Sequence, residues 1–169
     1  LRAIAALNLF EATTFSDTDL ERAELYRVAA RRSQAQASFD NVDDYLKSLA
    51  MKIRIERFNA FNLPRIAQLI QRSNQFNLCT RRYGEQACEQ LMGDTDNVHP
   101  FTLTLEDRFG GHGLISVVVL RVAGADLEID EYLMSCRVLK RGVESVAMNH
   151  IFDLARQAGG NAVRTDEEG

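Results

Sequence analysis

The sequence predicts an α/β fold of the α+β kind: a mixed, largely antiparallel sheet flanked by helices, with a helical N-terminal lead. Three observations point there. Met51, Ile53 and Ile55 alternate with Lys52, Arg54 and Glu56, the period of two of a half-buried strand. Between Phe101 and Leu139, apolar strand patterns follow one another across short glycine-bearing turns, as antiparallel neighbours do. Val143, Val146, Ala147, His150, Ile151, Leu154, Ala155 and Ala158 then fall on one helical face.

The chain has 169 residues, 46% of them apolar, enough for one core and too few for two. Its formal charge is 20 − 24 = −4, which argues against a nucleic-acid binder with its basic face. No apolar run approaches the roughly 18 residues of a membrane span. Cys79, Cys88 and Cys136, an odd number, make no disulfide framework, and His99, His112 and His150 are scattered. Reduced thiols in the cytoplasm and no metal site are the expectation.

The lead, residues 1–50, is polar. Ser16 reads as an N-cap, with Asp17 and Asp19 at the positive end of a helix. From Asp19 to Ala37 charge alternates with alanine. The apolar stripe of Leu20, Ala23, Tyr26, Val28 and Ala30 is thin, which suits a surface or connecting helix. Asn41 caps a short helix over 42–49. The folded domain, 51–169, opens on the strand at Met51. Asn62 and Pro64 start a helix whose apolar face carries Ile66, Leu69 and Ile70. Residues 74–83 read as a polar loop and 85–92 as a short helix. Phe101, Leu103 and Leu105 make a strand, Gly110-Gly111-His112-Gly113 a turn, and the apolar run 114–122 a central strand. Residues 123–126 turn the chain into a long strand over 127–139, and Gly159-Gly160 ends the last helix.

The most informative segment is Cys136-Arg137-Val138-Leu139-Lys140-Arg141-Gly142-Val143, at the junction of strand and helix. Amides at a helix start, with the positive end of its dipole, bind phosphate, and Arg137, Lys140 and Arg141 add cationic charge. The same pattern also describes an ordinary turn with solvated basic residues. Arg137-x-x-Lys140-x-Gly142 resembles the R/Q-x-x-G-x-G/A loop of the GNAT superfamily of N-acetyltransferases. More narrowly, Phe61-Asn62-Leu63-Pro64-Arg65-Ile66-Ala67-Gln68-Leu69, Asn74-Gln75-Phe76-Asn77-Leu78, Thr80-Arg81-Arg82-Tyr83 and Leu133-Met134-Ser135-Cys136-Arg137-Val138-Leu139 resemble FkbH-like proteins, over nearly the whole chain.

The resemblance implies a GNAT-like acyltransferase domain behind a phosphatase-type domain of the haloacid dehalogenase (HAD) superfamily. It implies transfer of an acyl or glyceryl unit onto an acyl carrier protein, in polyketide-type biosynthesis. A phosphopantetheine thioester, on coenzyme A or the carrier, would lie along Met134 and Ser135. Its phosphates would meet Arg137, Val138, Leu139, Lys140, Arg141, Gly142 and Val143. Asn77, Arg81 and Arg82 would bind substrate, the arginines as planar bidentate donors. Lys140 stands where that loop has its first glycine. The strands that close a GNAT fold are missing after the long helix, so the chain reads as a piece of a longer one. The HAD signature D-x-D at the tip of a buried strand is absent. Asp94-Thr95-Asp96 and Asp17-Thr18-Asp19 fit its letters without the strand.

Several side chains are candidate catalysts. Cys136 could carry an acyl group, activated by the helix N-terminus, Arg137 and Arg141, although alternation sets it with Met134 and Val138 as a packed strand thiol. Glu128, Asp130 and Glu131 could supply a general base, Glu128 and Asp130 on one side of their strand and Glu131 on the other so that at most two work together, although acids on a strand more often simply face solvent. Two other functions remain open. One is a non-catalytic docking module that meets an acidic carrier protein through Arg22, Arg27, Arg31 and Arg32 or the Lys140-Arg141 corner. The other is an N-acetyltransferase acting on a small amine.

Overall fold

A computed structural model describes residues 17–72, 77, 81–158 and 163–165. The expected cap at Ser16 and the Gly159-Gly160 stop lie outside the described residues. The chain divides into two units, Leu1–Ser48 and Leu49–Gly169. In the first, α1 (Asp17–Ala37) is a long polar helix. A short helix, α2 (Val42–Ser48), follows it. Asn41 caps α2 as its sequence implies, its side-chain oxygen accepting the Asp43 amide at 2.8 Å.

The second unit is a five-stranded sheet with helices on both faces. Its elements are β1 (Lys52–Arg57), α3 (Leu63–Arg72), α4 (Glu85–Gly93), β2 (Val98–Asp107), β3 (Gly110–Ala123), β4 (Asp126–Met134), α5 (Val143–Gln157) and β5 (Val163–Thr165). The strands lie in chain order, β1 to β4 antiparallel and β5 parallel to β4. Asn59 and Asn62 bond each other's amides reciprocally at 3.0 Å, which fixes the entry to α3 just before Pro64.

One face of the sheet packs on α5 through Leu103, Ile115, Leu120, Ile129, Val143, Ala147 and Ile151. The other packs on α3 and α4 through Ile66, Ile70, Cys88, Leu91, Val117, Val119 and Leu133. With both faces covered, all seven residues from Leu114 to Leu120 are buried. That explains why the run shows no alternation.

Two expectations are corrected. The turn between β2 and β3 falls at Arg108-Phe109, and the glycines after it are paired into β3, Gly110 with Asp107 and Gly113 with Leu105. Two register shifts, which leave Ile115 and His112 as extra residues on β3, and left-handed backbone at Gly113 (φ 68°) absorb the irregularity. The last long strand stops at Met134 rather than Leu139. The Ser135 amide makes a final bond to the Ile115 carbonyl at 2.7 Å, and Cys136–Val138 then turn as a 3₁₀ helix that drops Val138 into the core. The Asp94-Thr95-Asp96 letters form the turn after α4, away from any strand tip as expected, and Asp94 accepts from Asn97 there. Among the described residues no helix is long and apolar enough to cross a membrane, and no group of three metal-ligating side chains is gathered.

Candidate functional site

The site grows from an irregularity in β4. Val119 pairs with Glu131 but Leu120 pairs with Ile129, so Asp130 is an extra residue with no partner on β3. This bulge explains why Leu127 and Ile129 share the α5 face with Tyr132 and Met134, an odd and an even set. It also overturns the expected split of the acids: Asp130 and Glu131 both serve the face that carries Leu133, α3 and α4. Glu128 stays in the regular part of the ladder, opposite Arg121 on β3 and Arg164 on β5.

Asp130 is buried to 1% exposure, yet three side chains reach it. Arg81 Nη1 donates at 2.5 Å, the Tyr83 hydroxyl donates to the other oxygen, and Arg121 Nε lies 3.0 Å from that same oxygen. Tyr83 is held above its ordinary pKa, first by burial and then by its bond to Asp130. Glu131 is fully buried, and neither of its oxygens has a well-aligned hydrogen bond. Burial, then the adjacent Asp130 charge, push its carboxyl up to about 8, against the weaker pull of the Asn77 amide and Arg82. Asn77 is placed there by a bridge to Leu133 on β4. A shallow depression of about 200 Å³ lined by Tyr83, Ala87, Gln90, Leu91, Asp94 and Arg121 opens beside the cluster.

The structure therefore gathers Asn77, Arg81, Arg82 and Asp130 at one place. Sequence reasoning named Asn77, Arg81 and Arg82 together for substrate binding and Asp130 as a candidate base. It missed Tyr83 and Arg121. Arg121 had a signal, since it is the one charge inside the apolar run 114–122. Cys136 is drawn away from the strand. It lies in the 3₁₀ turn, exposed, and not packed between Met134 and Val138.

The loop to α5 differs from its expected geometry. The Val138 and Leu139 amides donate inside the 3₁₀ turn, to Ser135 and Cys136 carbonyls. The Lys140 amide donates to Glu144 Oε1 at 2.6 Å. Lys140 adopts left-handed backbone (φ 63°), as does Gly142 (φ 80°), which caps α5 without a side-chain bond. Arg137 donates from Nε to the Ser135 hydroxyl at 3.3 Å. Arg141 Nη1 lies 3.9 Å from Asp107, whose carboxylate is also 2.8 Å from His112. Among the residues from Arg137 to Val143 expected to meet phosphate, the Val138, Leu139 and Lys140 amides are thus committed within the chain. As folded, the loop does not fit a pyrophosphate. The expected run of phosphate-facing amides reduces to Arg141, Gly142 and the first turn of α5.

No protein-family model matches the sequence, and no curated protein sequence is significantly similar to it. Solved structures do resemble it. The ribosomal-protein-S18-alanine N-acetyltransferase from Escherichia coli superposes at TM-score 0.50 and 13% identity, over 66% of this chain and 64% of that one. Ard1 from Thermoplasma volcanium gives 0.51 and 16%, over 67% and 70%. N-acetylglutamate synthase from Neisseria gonorrhoeae, solved with coenzyme A and N-acetyl-glutamate, gives 0.50 and 19%, over 66% of this chain and 24% of that one. The chain spans just under two thirds of the length of the E. coli protein. At these identities the likeness is one of fold: a mixed α/β, mostly antiparallel five-stranded sheet flanked by helices, as in the GNAT acetyltransferases.

Proposed function

We propose that this chain is the GNAT-like domain of an FkbH-like protein and takes part in acyl or glyceryl transfer involving a phosphopantetheine thioester. The thioester is borne by an acyl carrier protein or coenzyme A, in polyketide-type biosynthesis in the cytoplasm. A HAD-type domain precedes it in the full-length protein. The observation that carries the reading is the convergence of Asn77, Arg81, Arg82 and Tyr83 on the paired acids of the β4 bulge, within an acetyltransferase fold.

The thioester supplies an activated acyl carbon. This chain's residues supply a proton site and a frame. Glu131, with its carboxyl near 8, sits within about one unit of neutral pH, where a carboxyl can take the proton of an attacking group and give it up again. Tyr83, Arg81 and Arg121 fix Asp130 beside it, so the second acid is held in one position. Arg81, about half exposed, also presents part of its guanidinium outward to an anionic substrate group.

Isothermal titration with coenzyme A and with a phosphopantetheinylated carrier protein tests the binding. Heat from the carrier is the expected result, and no heat from either ligand retires the proposal. One rival has an observation behind it: the similar structures named above include N-acetyltransferases. Turnover of acetyl-coenzyme A against a panel of amines, without carrier, would favour that rival. Salt-sensitive carrier binding with no transfer would leave a docking module.

A further inference from the structure

β1 stands at the end of the strand order, and only β2 pairs with it. The Phe58 amide donates to the Pro100 carbonyl, and the Glu56 carbonyl accepts from the Thr102 hydroxyl at 3.3 Å. Even-numbered residues of this strand therefore turn their main-chain groups to β2, and Ile53, Ile55 and Arg57 turn theirs outward. Among the described residues no backbone hydrogen bond meets them there. Sheets often blunt such an edge with a proline, a bulge or a very short strand. β1 has none of these over its six residues, and its register on β2 is unbroken. Its side chains are sorted by face as well. Ile53 and Ile55 pack only partly against the α5 core, while Lys52, Arg54 and Glu56 stand exposed on the other face.

We propose that this edge pairs antiparallel with β1 of a second copy of the chain, across a two-fold axis through Ile55. The charges that guard the edge leave that one pairing open. Main-chain bonds need outward-facing residues opposite one another, so odd positions must meet odd ones and the axis must pass through a residue. An axis through Lys52, Arg54, Glu56 or Arg57 sets that charge against its own copy, and one through Ile53 sets Lys52 against the partner's Arg54. An axis through Ile55 sets Arg54 against the partner's Glu56, and Glu56 against the partner's Arg54. These are the sites without main-chain bonds, where paired strands come closest, about 4.5 Å between Cα atoms. Ile55 then exchanges both its bonds with the partner's Ile55, and Ile53 with the partner's Arg57. On the α5 face the two Ile55 side chains meet and carry the apolar layer from one copy into the next. Within one strand Arg54 and Glu56 are 3.9 Å apart and 73% and 44% exposed, a weak surface pair that the partner's charges turn into a cluster. One strand pair covers well under the roughly 1,600 Å² of a standard interface, so the dimer is weak and depends on concentration. Nothing in this pairing depends on the proposed function.

Sedimentation velocity over a concentration series measures self-association of the chain and of its Arg54→Glu, Glu56→Arg and doubly exchanged variants. The parent chain should pass from monomer to dimer as concentration rises. Either single reversal sets like charges opposite at both symmetry-related sites and weakens the dimer about tenfold. The double variant swaps the two charges and regains the parent's affinity. An equimolar mixture of the two single variants forms a mixed dimer tighter than either makes alone. Both side chains are exposed, and circular dichroism checks that each variant keeps the parent's fold. A parent chain that stays monomeric at every concentration overturns the proposal. So does a dimer that neither single reversal weakens, or that the double variant fails to restore. Hydrogen exchange reads the register separately. The Ile53, Ile55 and Arg57 amides should slow as concentration rises, while those of Arg54 and Glu56, which face β2, keep their rates. A dimer in which the three outward amides exchange as fast as in the monomer uses another surface, and the proposal falls.

Discussion

Glu131→Gln separates a buried proton site from a merely structural acid. In the folded chain the Glu131 carboxyl sits near 8, against an ordinary 4.5. The sign follows from proton linkage. Below pH 4.5 both folded and unfolded chains hold the proton, and Glu131 contributes no pH dependence. Between about 4.5 and 8 the unfolded chain releases its proton while the folded chain keeps it, so stability falls as pH rises. Above 8 both are ionised and the loss is complete. Each unit is worth about 1.4 kcal/mol, so the full penalty is on the order of 5 kcal/mol, of which about 3 has accrued by pH 7. Glutamine keeps the shape and never ionises. Glu131→Gln should therefore match the parent chain at pH 5 and exceed its stability by about 3 kcal/mol at pH 7 and more at pH 8. Urea denaturation followed by circular dichroism from pH 5 to 9 measures this. Parallel stability curves for the two proteins would refute the buried-carboxyl argument. The same variant tests chemistry: if Glu131 moves the proton, transfer by the parent chain rises with pH toward 8, and Glu131→Gln loses both the rate and the rise. A stabilised variant with undiminished transfer would leave Glu131 with no catalytic part.

Other perturbations probe the surroundings. Asp130→Asn takes the anion from Arg81, Tyr83 and Arg121. Because both arginines are partly exposed and rehydrate, the cost is about 1–2 kcal/mol, read as a fall in melting temperature of roughly 3–8 °C. The same change should bring the Tyr83 phenol closer to its ordinary titration, visible by ultraviolet difference against Tyr83→Phe. The Cys88 thiol is fully buried and pushed up to about 11, by burial and then by Glu131. At pH 8 only about one part in a thousand is thiolate, so iodoacetamide followed by mass mapping should label exposed Cys136 well before Cys88. Equal rates would place Cys88 outside the core. Gly142→Ala meets no atom within 4 Å but must hold φ 80°, a cost of about 1 kcal/mol, while Lys140→Gly at φ 63° should recover a similar amount in thermal melts.

Much of the fold was legible because each layer wrote its period into the sequence. β1 faces solvent on one side and alternates. α5 packs one face and repeats Val143, Ala147, Ile151 and Ala155 at four-residue steps. The end of β4 was not legible, since Cys136, Arg137 and Val138 continue an alternation that suits a strand equally well. What breaks it is tertiary: Ile115 claims the Ser135 amide and the core claims Val138. The site was half legible. Loop residues Asn77, Arg81 and Arg82 stood out through a family resemblance, and Asp130 as an acid on a strand. Their meeting could not be read from spacing, because it depends on a bridge from Asn77 to Leu133 and on a contact between Arg81 and Asp130, 49 positions apart in the chain.

The bulge in β4 decides both stability and chemistry. In a regular strand Asp130 and Glu131 would point to opposite faces, so whichever one faced α5 would be buried among Leu120, Tyr132 and Ile151 with no cation near. One extra residue turns both acids to the face where Arg81, Arg82 and Arg121 converge, and the cations there compensate Asp130 more fully than Glu131. That inequality matters for the proposed function, because the less compensated acid is the one that burial and the adjacent charge push up. With Asp130 held by three partners, the cost of burial falls on Glu131, whose proton is then exchangeable near pH 8. Removing the extra residue, by deleting Asp130, should close the bulge without moving the core. Ile129 and Glu131 then follow each other opposite Leu120 and Val119, and Leu127, Ile129, Tyr132 and Met134 keep the α5 face by plain alternation, so cooperative unfolding is expected to persist, at the cost of the anion that Arg81, Tyr83 and Arg121 share.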